Sequence, residues 1–200
     1  DDASTDGTAD LVRAVAARHP DVIHAFFQPR NQGKGAAIRR AIGEMQGDCA
    51  VFQDADSEYD PRDYAEILRP ILEGQADVVY GSRFAVRQRP RVMSGGHALG
   101  NAILTSLSNR VTGLHLTDME TCYKAFRADV LRKIPLRSNR FAIEPEITAK
   151  IARRQCRVRE VPIRYQSRTY GEGKKIRWRD GLSALYTIFK YGIINDSGEP

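Results

Sequence analysis

At 200 residues, 28% of them charged and 42% hydrophobic, the chain suits one folded domain and fits neither a disordered chain nor an integral membrane protein. Its net charge of +6 favours an anionic partner: nucleic acid, a membrane surface or a phosphorylated substrate. No apolar run reaches the ~18 residues that cross a bilayer, and the widely spaced Cys49, Cys122 and Cys156 read as free buried thiols of a reducing compartment.

The chain opens on "DDASTDGTAD", two adjacent acids and a turn. Thr8 is an N-cap for a helix that aligns Leu11, Val12, Val15 and Ala16, with Pro20 beyond its end. "VIHAFFQ" (22–28) reads as a buried strand and "NQGKG" as a glycine turn. Ile38, Ala41, Ile42 and Met45 then recur at helical spacing until Gly47. "CAVFQ" (49–53) is a second apolar strand. Asp60 and Pro61 cap a helix that turns Tyr64, Ile67, Leu68 and Ile71 inward, and Pro70 should kink it or end it early. "DVVYG" (77–81) is a third strand.

After Gly81 an arginine-rich loop leads to a helix with Leu99, Ile103, Leu107 and Val111. "LTDMETCYKAFR", a helix from Glu144 to about Arg154 and the strand "VREVPIRY" follow. A basic glycine loop then precedes a last amphipathic helix around Leu182 to Tyr191. Strands alternating with helices predict an α/β domain with a mixed, mostly parallel sheet flanked by helices. No linker divides it, so residues 1–200 read as a single domain.

"CAVFQDADSEYDP" carries the most chemistry. In open α/β sheets ligands bind beyond the carboxyl ends of the strands, and a buried strand here ends on Asp54, Asp56 and Glu58. Alternate residues at a strand end point to one side, and carboxylates gathered there need a cation. All-oxygen ligands suit Mg²⁺ or Mn²⁺, an ion that bridges phosphates and neutralises a leaving diphosphate. The competing reading is a solvated acidic turn with an Asp60 cap. Gly33 and Lys34 in "NQGKGAA" offer backbone that can approach a ligand, but the P-loop pattern is absent. His19, His24, His97 and His115 lack metal-ligand spacing and read as surface or cap residues. Arg83 follows a strand end and can reach a phosphate, whereas Arg87, Arg89 and Arg91 read as a solvated loop.

Seven segments in order resemble the inverting, GT-A-type glycosyltransferases of family 2. The subgroup most similar is that of dolichyl-phosphate mannosyltransferases and polyprenyl-phosphate sugar transferases. The segments are "DDASTDGT", "NQGKGAA", "QDADSEYDP", "DVVYGSRF", "TDMETCYKAFR", "RFAIEPEI" and "EVPIRYQSRTYGEGKK". The resemblance implies a Rossmann-like GT-A fold. It implies that Asp2, with Asp1, contacts a nucleobase and that Asp54 touches the ribose or a nearby sugar. Asp56 with Glu58 would hold Mg²⁺ or Mn²⁺ on the diphosphate; many relatives carry Gln where Glu58 stands. Glu146 matches the acid of an acceptor-side motif, and Glu144 stands where relatives often have Gln. Arg168 and Lys174 match a phosphate-gripping loop in which Gly173 replaces a frequent serine. Asp118 and Lys124 match a motif lining the same cleft. Gly33, Lys34 and Arg83 join the donor-contacting set, and Asp56, Glu146 and Asp118 the catalytic one.

The implied reaction moves a hexose from a nucleotide-diphosphate sugar (GDP-mannose, UDP-glucose or UDP-N-acetylglucosamine) to a dolichyl or polyprenyl phosphate. It would run at the cytoplasmic face of a membrane, by in-line attack at the anomeric carbon, without nucleic acid. A phosphate acceptor is already ionised, its second pKa lying near ~6. Glu146 is therefore left as either a base or a group that positions basic residues. Residues 1–81 would bind the donor and 82–200 the acceptor. Trp178, between two arginines, either packs on the last helix or anchors the protein at a membrane interface. Two other readings stand: a soluble family 2 transferase with a hydroxylated acceptor, and a non-catalytic basic binding module. The family pattern also places strands ahead of Asp1, so a piece of a longer enzyme that binds donor poorly by itself is expected.

Overall fold

The computed structural model describes residues 1–85, 95–168 and 178–193, leaving the side chains of 178 and 179 aside. In chain order the elements are α1 (Thr8–Arg18), α2 (Lys34–Glu44), β1 (Cys49–Val51), a 3₁₀ turn (Pro61–Asp63), α3 (Tyr64–Leu72), β2 (Val78–Ser82), α4 (Gly95–Thr112), β3 (Lys124–Arg127), α5 (Ala128–Leu131), α6 (Ile143–Arg153), β4 (Val158–Pro162) and α7 (Trp178–Gly192). The sheet order is β1-β3-β2-β4. β3 runs antiparallel to β1 and β2, while β2 and β4 are parallel. Three of the four strands thus share a direction, in the mixed, mostly parallel α/β sheet that the alternating pattern predicts.

β2 lies inside the sheet and all five of its residues are buried, as a continuous apolar run requires. Its alternate residues serve opposite faces. Val78 and Tyr80 pack with Phe126, Met119, Ile143, Ile147 and Ile188 on the side of α6 and α7. Val79 joins Tyr59, Ile67, Ile71, Tyr123 and Ile163 on the side of α3. Asp60 caps the 3₁₀ turn, its side chain accepting from the Arg62 N–H, and α3 ends two residues after Pro70, where the missing N–H and the ring's clash stop a helix.

Several expectations change. Residues 22–28 form no strand of the sheet; Asp1 is their ladder partner, through Asp1 N to Phe26 O (2.8 Å) and Gln28 N to Asp1 O (2.9 Å). Val22 is exposed. The N-cap of α1 is Gly7, at φ 86°. Thr8 already lies inside the helix, its N–H and Oγ1 both donating to Asp6 Oδ1. The inner face of α4 is Asn101, Thr105 and Ser108, and Leu99 and Ile103 point to solvent. Of the thiols, Cys122 is buried and Cys49 and Cys156 are half-buried; all three are free.

Candidate active site

The site forms where β1 ends against β3. Phe52 N donates to Lys124 O (2.9 Å), and the chain then leaves the sheet and presents its acids. Asp54 meets Lys34, the first residue of α2, at 3.1 Å, and Lys34 also lies 3.0 Å from Glu144 Oε1. Burial works against the Lys34 charge, but Glu144, Cys122 and Asp54 outweigh it and hold its pKa well above the usual lysine value. Lys34 is aimed by the turn before it. Asp2 accepts from the N–H groups of Gln32 (2.9 Å) and Gly33 (2.6 Å). Gly33 sits at φ 97°, and a Cβ there would fall 2.4 Å from Asn139 O, so the turn requires glycine.

Asp56 and Glu58 follow on the same loop. Arg168 joins them: its Nη2 is 2.8 Å from Asp56 Oδ2, and its backbone N–H donates to Glu58 Oε1 at 2.9 Å. Tyr165 Oη donates to the other Glu58 oxygen (3.0 Å), and Gln166 N to the Glu58 carbonyl (2.9 Å). The Arg168 segment is therefore laced to the acidic loop. Burial raises the Asp56 pKa above the usual carboxylate range, against the Glu58 N–H and Arg168.

Two ion pairs stiffen the second wall. Arg83 binds Asp118 in a fork, Nε–Oδ2 2.6 Å and Nη2–Oδ1 2.7 Å, with its backbone N–H on the same carboxylate. Lys124 is fully buried and donates to Glu144 and to Thr121 O. Glu160 supports this wall by accepting from Thr117 and Asp118 N–H.

Between these walls lies a cavity of about 430 Å³. It gathers six expected residues: Lys34, Asp54, Asp56, Glu58, Arg83 and Arg168. Asp118 and Lys124 stand behind it, holding Arg83 and Glu144. Asp2 and Gly33 shape the turn, and Asp1 is engaged locally, accepting from Ser4 N (3.0 Å). Lys174, Gly173, Arg87, Arg89 and Arg91, with the Trp178 side chain, lie outside the described residues. Glu146 is not brought to the cavity. Its carboxylate accepts from the N–H groups of Arg137 (2.7 Å) and Ser138 (2.6 Å) and pairs with Lys150 (2.7 Å). Burial opposes that charge, but Lys150 and Ser138 keep its pKa below the usual value.

Glu120, Cys122, Glu144, Tyr165 and Asn101 also line the cavity, as does His97, in place of the surface or cap role its spacing predicts. Glu120 lies between Asp118 and Lys124 in a stretch already singled out, but only the fold shows that it faces inward. Glu120 Oε1 and Asn101 Oδ1 are buried without a hydrogen-bond partner.

Two carboxylates already bridged by one cationic side chain are a plausible seat for a divalent ion. Magnesium-type ions are commonly held by one or two protein carboxylates, with substrate phosphates and water completing the shell. Among the described residues no group of three His, Cys, Asp or Glu side chains could hold a metal alone. Asp56 and Glu58 are the carboxylates that could hold such an ion if a bound diphosphate completed its shell.

A family model described as Glycosyl transferase family 2 matches residues 1–135. The chain is 34% identical over 206 residues to an undecaprenyl-phosphate mannosyltransferase of Micrococcus luteus, covering 96% of this chain and 80% of that protein. It is 32% identical over 198 residues to glycosyltransferase AglJ of Haloferax volcanii, covering 98% of this chain and spanning only 62% of that relative's length. Among solved structures, mannosyl-3-phosphoglycerate synthase from Rubrobacter xylanophilus superposes with a TM-score of 0.71 at 20% identity, over 100% of this chain and 66% of that one. Glucosyl-3-phosphoglycerate synthase from Mycobacterium tuberculosis, in complex with Mn²⁺, uridine-diphosphate and phosphoglyceric acid, gives 0.65 at 20% identity, over 98% and 66%. These likenesses establish the fold, which is of the GT-A type.

Proposed function

The chain belongs to glycosyl transferase family 2, and we propose that it carries the machinery to move a hexose, with inversion, from a nucleotide-diphosphate sugar to a lipid phosphate. The observation that carries the reading is one cavity holding three acids at a strand end, Asp54, Asp56 and Glu58, opposite three cations, Lys34, Arg83 and Arg168. The acids fit a cation-bound diphosphate and the cations fit anionic phosphate groups. The Micrococcus relative acts on undecaprenyl phosphate by its name, and an M. tuberculosis neighbour was crystallised with Mn²⁺ and uridine-diphosphate; both support the class of substrate and of ion.

In this reading Asp56 and Glu58 hold Mg²⁺ or Mn²⁺, whose chemistry is to neutralise charge on the leaving diphosphate. Lys34 fixes Asp54 beside the ribose or sugar, and Asp2 sets the turn that carries Lys34. Arg83, aligned by Asp118, and Arg168 hold the acceptor phosphate, and Lys174, outside the described residues, joins them in this reading. An acceptor oxygen forms a bond to the anomeric carbon as the bond from that carbon to the diphosphate breaks, and the nucleoside diphosphate departs with the electron pair. The acceptor is ionised already, so no side chain need remove a proton. Glu146 then acts by position, tying residues 137–138 against the turn of Lys34. Residues 1–81 supply most of the donor side and 82–200 the acceptor side.

The donor is a GDP- or UDP-hexose, and the protein works as a peripheral protein at the cytoplasmic face of a membrane. No helix among the described residues is long and apolar enough to cross one. The test is transfer itself. The intact protein should glycosylate polyprenyl phosphate from GDP-mannose, UDP-glucose or UDP-N-acetylglucosamine only with Mn²⁺ or Mg²⁺. No transfer from any of the three, or full transfer in EDTA, would overturn the reading.

A further inference from the structure

The charged groups of the cavity are nearly all spoken for. Lys34 pairs with Asp54 and Glu144, Arg168 with Asp56 and Glu58, and Arg83 with Asp118. Glu144 also takes Lys124. Glu120 is different. It lines the same cavity, no ion pair engages it among the described residues, and its buried Oε1 accepts no hydrogen bond. Asn101, on α4, lines the cavity as well and buries an Oδ1 that is also without a partner.

An unfilled buried acceptor is costly, and native structures seldom keep one without use. Two such acceptors in one cavity, beside a Glu144 Oε1 that is held only through its ion pair with Lys34, call for a ligand that brings hydrogens. An ionised phosphate has none to give and is repelled by a carboxylate. A nucleobase brings few, and its expected contacts, Asp1 and Asp2, stand outside this cavity's lining. A hexose brings several hydroxyls, each a donor. Resting on the reading of this cleft as a sugar-nucleotide site, we infer that Glu120, with Asn101, receives hydroxyl groups of the transferred sugar and marks its subsite between the diphosphate end at Asp56 and the acceptor-phosphate end at Arg83.

Burial, joined by the neighbouring Glu144 charge, pushes the Glu120 carboxyl up to about 7, against Lys124 and Arg83. A hydroxyl partner suits this group in either protonation state, because a hydroxyl both donates and accepts. The alternative is that Glu120 only completes the wall. The two predict different patterns of binding loss.

The test is calorimetric, on the intact protein with Mn²⁺. Affinities for UDP and UDP-glucose, and for GDP and GDP-mannose, are compared in wild type, Glu120→Ala and Glu120→Gln. For whichever pair the wild type binds, Glu120→Ala should weaken the sugar nucleotide about ten-fold and leave the nucleoside diphosphate within about two-fold. Glu120→Gln, of the same shape, should fall between and serves if the alanine variant does not fold. Asn101→Ala should show the same selective loss. Equal losses for both ligands, or none for the sugar nucleotide, would overturn the inference alone. A wild type that binds no sugar nucleotide would overturn the proposed function and the inference with it.

Discussion

Asp56 shows how one side chain can serve two partners. In the structure its Oδ2 is held by Arg168 at 2.8 Å, and Arg168 reaches Glu58 through its backbone N–H at 2.9 Å. A divalent ion would draw on the same oxygens. Asp56→Asn keeps the shape and removes the charge. Metal-dependent transfer should fall on the order of 100-fold or more, and Mn²⁺ affinity measured by calorimetry should fall with it. Unchanged Mn²⁺ affinity in this variant would remove Asp56 from the metal site. Melting should change little, because the lost Arg168 contact is partly exposed and such pairs are worth ~0–1 kcal/mol.

At the scale of elements, Asp77 fastens three strands. It stands just before β2, accepts from Arg157 N (2.9 Å) at the approach to β4, and accepts from Arg127 Nη1 (3.1 Å) of β3. Its pKa is lowered to about 2, first by the Arg157 side chain. A depressed carboxylate stabilises the fold above its unfolded pKa of ~3.9, and that contribution disappears as pH falls through the folded value. Asp77→Asn should therefore cost ~1 kcal/mol at neutral pH, a figure discounted for solvent screening. The gap to wild type in urea melts should close between pH 4 and pH 2. A gap that persists at pH 2 would mean that Asp77 acts through its shape and not its charge. The same scale shows what the sequence makes legible. The continuous apolar run of β2 and the capped α3 could be read directly, because local pattern and burial agree there. Leu99, Ile103, Leu107 and Val111 gave α4 its place; of these Val111 packs on the core, while Leu99 and Ile103 face solvent. α4 buries Asn101, Thr105 and Ser108, and the contact that fixes Thr105 is distant in the chain: its Oγ1 accepts from Met119 N at 3.1 Å. β3 spans four residues, too few for a periodic signal. Asp54, Asp56 and Glu58 were legible as a strand-end cluster, whereas Glu120 and His97 reach the cavity only once the 117–123 segment and α4, which carry them, pack beside it. For Glu146 the motif gave the residue, and the backbone N–H groups that occupy it came only with the fold.

At the scale of the whole molecule, the outward apolar residues of α4 have a consequence. Leu99 (63% exposed) and Ile103 stand outward on α4, and Leu182, Tyr186 (67%) and Phe189 stand outward on α7, with Ile193 (63%) exposed just past its end. The two helices are in contact, and their other residues line the cavity: His97, Asn101 and Leu104 from α4, Asp180, Gly181 and Ala184 from α7. Exposed apolar residues clustered on neighbouring helices mark an interaction surface more often than scattered ones do. In the proposed reading a lipid phosphate would deliver its head to Arg83 and Arg168 while its chain stays in an apolar phase, and these helices flank the cavity where that could happen. The net charge of +6 adds attraction to an anionic bilayer. Tyr186→Ser with Phe189→Ser should leave melting unchanged, since both side chains are largely outside the core, and should cut flotation with anionic vesicles of phosphatidylglycerol and phosphatidylcholine about ten-fold or more, each buried aromatic being worth ~1.5–3 kcal/mol. Donor binding should stay as in wild type, because neither residue lines the cavity. Equal flotation of variant and wild type would place membrane contact elsewhere. An absence of flotation in both would leave α4 and α7 to face a protein partner, and the acceptor would then have to reach Arg83 and Arg168 from solution.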